Sequence, residues 1–353
     1  VGVANSAFGY YALYANTTNS NSAFGYKALN DNTIGNDNSA FGSYALLNNT
    51  IGEQNTAIGR SSLEANTTGI NNVAVGAYSL LTNTIGSNNV AVGLQSSYNN
   101  TTGTKNTAVG NNSLYSNTIG TKNNAFGYNA LYSNTIGTNN NAFGFYSLNA
   151  NTTGVKNSAF GTNALRNNTI GIQNSAFGQA ALLYNTTGSR NSAFGLYALY
   201  KNLVGVNNAA FGQSSLSNNL ASNNSAFGYK ALLNNTTGTR NIAIGVGALQ
   251  ANTIGSSNTA VGHNSLISNT TRDNNSAFGR YSLRYNITGQ SNSAFGSNAL
   301  RLNTIGINNS AFGFYALRNN TTNNNTAVGY AALAANTTGT SNVAVGLDLS
   351  LIH

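Results

Sequence analysis

The side chains able to do acid, base, nucleophilic or metal chemistry are scarce in this sequence. His263 and His353 are its only histidines, the acids are Asp31, Asp37, Glu53, Glu64, Asp273 and Asp348, and cysteine is absent. Catalysis needs several different groups converging on one place. Here neither histidine lies in a metal-spaced cluster, and the acids form no pair that spacing marks as a general acid and base. His263 stands where equivalent positions carry Tyr, Ser, Gln or Arg, a surface choice. The many glycines form no phosphate-binding loop or dinucleotide fingerprint with strand and helix context. The sequence therefore predicts no enzyme, no catalytic or metal-binding residues and no cofactor.

Charge gives little more. Fifteen Lys and Arg against six Asp and Glu make a formal +9, but only 6% of the 353 residues are charged. Lys27, Arg60, Lys105, Lys122, Lys156 and Arg190 are dispersed, and no short window is densely basic, which reads as a solvated surface and not a nucleic-acid interface. No apolar run reaches the length of a membrane span, so no membrane insertion is expected. No signal peptide is visible, and the start at Val1-Gly2-Val3-Ala4 reads as a processed product or a segment of something longer. Absence of cysteine fits a reducing compartment or an extracellular fibre equally well.

The informative feature is repetition. With the Gly of each AFG, AVG or AIG as origin, twenty-one origins run from Gly9 to Gly346 in steps of 17, shortened to 16 at three places. Asn stands four residues before and Ala two residues before every origin, as in Asn5 and Ala7 before Gly9, or Asn123 and Ala125 before Gly127. Leu follows four residues later in nineteen of twenty repeats, as at Leu13 and Leu131, with Ser97 the exception. A second Asn follows seven residues after each of the first twenty origins, as at Asn16 and Asn134.

A period so short and steady marks a solenoid, in which one coil buries its apolar face only against its neighbours. The expected fold is all-β: a parallel β-solenoid, or β-roll, of about twenty 17-residue coils, forming one array over residues 1–346 with residues 347–353 leaving the repeat. Each coil should carry a short strand at NSAF, a Gly corner, a second strand around ALxxN and a turn at NT[TI]G. Coils stacked at the strand spacing, about 4.8 Å, put Asn over Asn in amide ladders. The glycines supply positive φ or close backbone approach. Phe126 and its equivalents, thirteen Phe, six Val and two Ile, read as a core file that a thin coil covers only by meeting another chain.

At NVAVG (72–76 and 89–93) and NIAIG (241–245) the phrase resembles the head repeats of the YadA-like trimeric autotransporter adhesins. The longer phrase NSAFGYKAL…NTTG also resembles repeat shafts of phage and viral tail fibres. The resemblance implies left-handed coils, three chains assembled together, and a place on a cell or virion surface serving attachment. It supports Asn72, Ala74, Val75 and Gly76 and their equivalents as framework only. The coil here is longer, Phe often replaces the aliphatic residue, and the ALxxNTTG half has no close counterpart in the adhesins.

The function expected is a non-catalytic extracellular shaft or head giving rigid reach and multivalent attachment, with the chain itself as principal partner and a host-surface glycan or protein as a further one. The alternatives are a structural filament without ligand and an ice-binding solenoid using its Thr file. Tyr128, Tyr132, Tyr197, Tyr200, Tyr281 and Tyr285 are the candidate surface-binding residues, unless their rings stack on neighbouring coils. Many N-x-S/T triplets are formal glycosylation acceptors, but an Asn in a ladder cannot carry sugar and keep its stacking.

Overall fold

The structure, a computed structural model, describes residues 2–349; His353 and the rest of the 350–353 segment lie outside them. It is an all-β parallel solenoid of about twenty coils. The chain divides into two units at Asn174/Ser175. The first runs from β1 (Ser6–Phe8) to β10 (Ser158–Phe160) and the second from β11 (Ser175–Phe177) to β21 (Val343–Val345), one strand per coil.

Each strand is three residues long, and within each unit it pairs in parallel with the equivalent residues one coil on. In the first unit β8 (Asn124–Phe126) and β9 (Asn141–Phe143) pair with Ala125 opposite Ala142 and Phe126 opposite Phe143. In the second, β17 (Ser276–Phe278) pairs in the same way with β18 (Ser293–Phe295), and that with β19 (Ser310–Phe312). This register turns a 17-residue sequence period into columns of identical side chains.

The second expected strand, around ALxxN, is not a strand. Its place is taken by two turns, closed in one coil by Ala130 N–H to Gly127 O (3.3 Å) and by Asn134 N–H to Leu131 O (3.3 Å). Asn129 (φ 52°) and Leu131 (φ 54°) adopt left-handed backbone, as do their equivalents along the array. A type II turn requires positive φ at its third residue, and alternate amides still reach the next coil, Leu131 N–H to Ser147 O and Ser133 N–H to Asn149 O, both 2.9 Å. The chain therefore curls within the coil without giving up its bonds between coils. A Leu in this conformation is costly, on the order of 1–2 kcal/mol, and the compensating term is complete burial of Leu131 and its equivalents.

Strand alternation puts Ala125 fully inside and leaves Asn124 and Phe126 part-exposed on the outer face. The interior is thus Ala, Leu, Asn and, after the corner, Ala or Ser. Phe126 and its file lie outside the interior of their own coil, where the rings stack on one another. Phe126 lies 4.7 Å from Phe143, centroid to centroid, with planes 8° apart.

Gly127 has φ 133°, and a Cβ built there would lie 2.6 Å from the Gly144 carbonyl oxygen. Both conformation and space exclude a side chain. Gly137, in the NTIG turn, lacks a positive φ, and close approach alone accounts for it: a Cβ would collide with Asn134 Oδ1 and the Gly154 carbonyl.

Candidate functional site

Two buried Asn files run up each unit, and they bond differently. In the file of Asn16 and Asn134, each amide donates along the stack and also back to its own turn. Asn134 Nδ2 donates to Asn117 Oδ1 (2.8 Å) and to Gly137 O (3.0 Å), and Asn151 Nδ2 donates to Asn134 Oδ1 (2.8 Å). The column begins with Asn32 Nδ2 donating to Asn16 Oδ1 at 2.7 Å. These are side-chain ladders in which buried amides find partners along the stack, as burial requires.

The file of Asn5 and Asn123 instead ties side chain to main chain. Asn123 N–H donates to Asn106 Oδ1 (3.0 Å), its Nδ2 donates to Gly137 O (2.8 Å), and Asn140 N–H donates to its Oδ1 (3.0 Å). Asn5 is bonded alike, accepting from Asn21 N–H at 2.9 Å. In this first coil Ala7 is exposed and Leu13 only part-buried, whereas Ala125 and Leu131 are fully covered from both sides.

The 16-residue steps delete one turn residue, and the acceptor moves. Asn219 Nδ2 donates to Ala221 O (2.7 Å) and Asn320 Nδ2 to Thr322 O (2.9 Å), in place of the glycine carbonyl three residues on. Beside the last of these steps Asn303 Oδ1 is buried without a partner, an interruption in the second unit's ladder.

The six candidate tyrosines do not form one site; they belong to several columns and pack on neighbours. Tyr128 stacks on Phe145 at 5.5 Å and Tyr132 on Tyr115 at 5.0 Å. Tyr197 and Tyr200 meet edge to face at 5.2 Å. Tyr115, between Tyr98 and Tyr132, has its phenol pKa raised by burial and by its two phenol neighbours. A shallow groove of about 460 Å³ lies beside Tyr200, lined also by Tyr184, Lys201, Leu203 and Leu220.

Tyr281 and Tyr285 have different company. The Arg280, Arg284 and Arg301 guanidinium carbons lie 4.6, 4.5 and 5.7 Å from the Tyr281 ring, and Arg284 lies 5.1 Å from Tyr285. Arg280 Nη2 donates to the Tyr281 hydroxyl at 3.1 Å. That hydrogen bond, joined by the charges of Arg280, Arg284 and Arg301, lowers the Tyr281 pKa against the opposing effect of desolvation. Sequence reasoning missed this cluster because Arg284 and Arg301 are a coil apart along the chain; the signal that would have found the pair is their common offset of five from Gly279 and Gly296.

The Thr file behind the ice-binding alternative is turned to structural use. Thr50 Oγ1 donates to Thr67 O (3.0 Å) and Thr118 Oγ1 to Thr135 O (3.2 Å), so these hydroxyl protons are held by the next coil. His263 is exposed and meets Tyr281 edge to face at 5.4 Å. Among the described residues no three of His, Asp and Glu come together, and no helix is long and apolar enough to cross a membrane. Repetition produces files of identical groups in place of a convergent set, and the chain is a repetitive structural scaffold. No family model matches the chain, and no curated protein matches it.

Proposed function

We propose that this chain is a structural segment of an extracellular filament on a cell or virion surface, setting distance and stiffness and carrying out no reaction. The observation that carries this reading is the buried amide ladder. A hydrogen-bonded column repeated from coil to coil, interrupted at Asn303, makes bending or partial opening break several bonds at once, a property useful to a spacer. Chains are proposed to associate side by side, as left-handed coils in threes, through the outward Phe, Val and Ile files, because a row of part-exposed apolar side chains on successive coils exceeds what isolated soluble chains carry. Light scattering on the full chain tests association: a trimer mass is expected, and a monomer at all concentrations removes lateral assembly from the proposal.

An attachment role, as shaft or head of an adhesin or tail fibre, is the second reading, and the outward aromatic rows favour it. A glycan array separates it from an inert spacer. The ice-binding alternative predicts thermal hysteresis; with the Thr hydroxyl protons bound internally, none is expected.

A further inference from the structure

Arg284, Arg301 and Arg318 each stand five residues after their origin glycine, Gly279, Gly296 and Gly313, in consecutive coils of the second unit. The register of β17, β18 and β19 therefore places them one above another, with main-chain bonds binding the rungs: Tyr285 N–H to Arg301 O (3.1 Å) and Leu302 N–H to Arg318 O (2.9 Å). Their spacing is that of the strands, about 4.8 Å. Like charges so close repel, and the sequence around them offers little relief: Arg272 and Arg280 add to the positive charge, and Asp273 is the one acid between residues 260 and 320. Its carboxylate accepts a bond from Ser256 N–H.

A second observation concerns the same side chains. The Nε atoms of Arg284, Arg301 and Arg318 are all buried without a hydrogen-bond partner. Arg284 is braced by Tyr281 and Tyr285, and Arg318 by Tyr315 at 4.8 Å. The Tyr281 pKa is lowered chiefly by the hydrogen bond from Arg280, with the charges of Arg280, Arg284 and Arg301 adding to it. Braced, unpaired guanidiniums in a straight row are preorganised for anions, since the planar fork matches a carboxylate.

We infer that the Arg284–Arg301–Arg318 column is a binding ladder for a linear acidic polysaccharide, each guanidinium taking one uronate carboxylate. A linear polyanion laid along the column meets guanidiniums one strand spacing apart, about 4.8 Å, and its carboxylates complement a row of positive charge that has one acid near it in sequence, Asp273. A single-stranded nucleic acid fits less well: it binds by stacking bases on bare aromatic faces, and the Tyr281 ring already has Arg280 and Arg284 over it. This inference adds a ligand to the scaffold and does not depend on how chains associate.

The test is affinity electrophoresis of the full chain through gels containing polygalacturonate, with dextran as the neutral control. Retardation by polygalacturonate alone is expected, weakened about tenfold or more in R284Q/R301Q/R318Q. K105Q/K122Q/K156Q, which removes equal charge from the first unit, should bind as the parent does. Should the glutamine variant fail to keep the parent's circular dichroism, R284K/R301K/R318K carries the comparison: weaker binding at unchanged charge supports the ladder, and equal binding overturns it. The inference also fails if polygalacturonate causes no retardation, if both glutamine variants lose affinity alike, or if oligo-dT displaces the polysaccharide at equal charge concentration.

Discussion

Ser97 occupies the position held by Leu in the coils on either side, Leu80 and Leu114, and has nearly their backbone, φ 49° against 49° and 53°. It is 1% exposed, and its hydroxyl is buried without a hydrogen-bond partner. Neighbouring coils fix the spacing by the bonds Leu80 N–H to Ser96 O (3.0 Å) and Ser97 N–H to Ser113 O (2.9 Å), so the space that Leu fills elsewhere is retained here. Ser97→Leu should therefore stabilise the first unit. Burying a Leu side chain contributes about 1.5–3 kcal/mol, and removing an unsatisfied hydroxyl about 1–3 kcal/mol. The left-handed backbone strain is common to both residues and cancels, giving an expected gain of about 2.5–6 kcal/mol. Because stacked repeats need not unfold in one step, the assay is peptide-resolved hydrogen exchange over residues 76–118, supported by urea denaturation. Slower exchange there with unchanged exchange in the second unit is the expected result. Unchanged or faster exchange would refute the premise that coil spacing, and not the local residue, sets the interior volume.

The amide ladder is tested by Asn134→Ala, which leaves Asn117 Oδ1 without its donor and deprives Asn151 Nδ2 of an acceptor. Gly137 O keeps its bond from Asn123, so two orphaned groups set a cost of about 2–6 kcal/mol. Asn139→Lys, at the exposed position filled by Lys122 and Lys156 in other coils, should change stability by less than about 0.5 kcal/mol, and equal losses in a urea denaturation series would rule out a stabilising ladder. Ultraviolet titration checks the arginine cluster: in the parent Tyr281 should form phenolate at lower pH than an ordinary tyrosine, and Arg280→Gln, which removes the hydrogen bond that chiefly lowers its pKa, should move that titration upward.

How much was legible before folding differs from column to column. The Asn, Ala, Leu and origin Gly positions repeat so strictly that stacking follows from them, because only in-register coils give every copy of one residue the same surroundings. Asn134 in a ladder could be read in this way. Periodicity does not report backbone sign: nothing in the repeat marks Leu131 as left-handed, and only the φ of 54° and the turn-closing bonds within the coil show that the ALxxN segment turns. Nor does it report which face of the strand turns inward: Ala125 is buried and Phe126 part-exposed.

The arginines mark the boundary most clearly. Composition and window analysis determined that positive charge was scattered, and along the chain it is. Register alone brought residues 284, 301 and 318 to adjacent rungs, because parallel pairing converts a separation of one period into a single strand spacing. The sequence by itself determined that the chain stacks and which residue types recur; the tertiary structure decided which columns are buried, which face solvent, and where unlike coils combine into a charged surface.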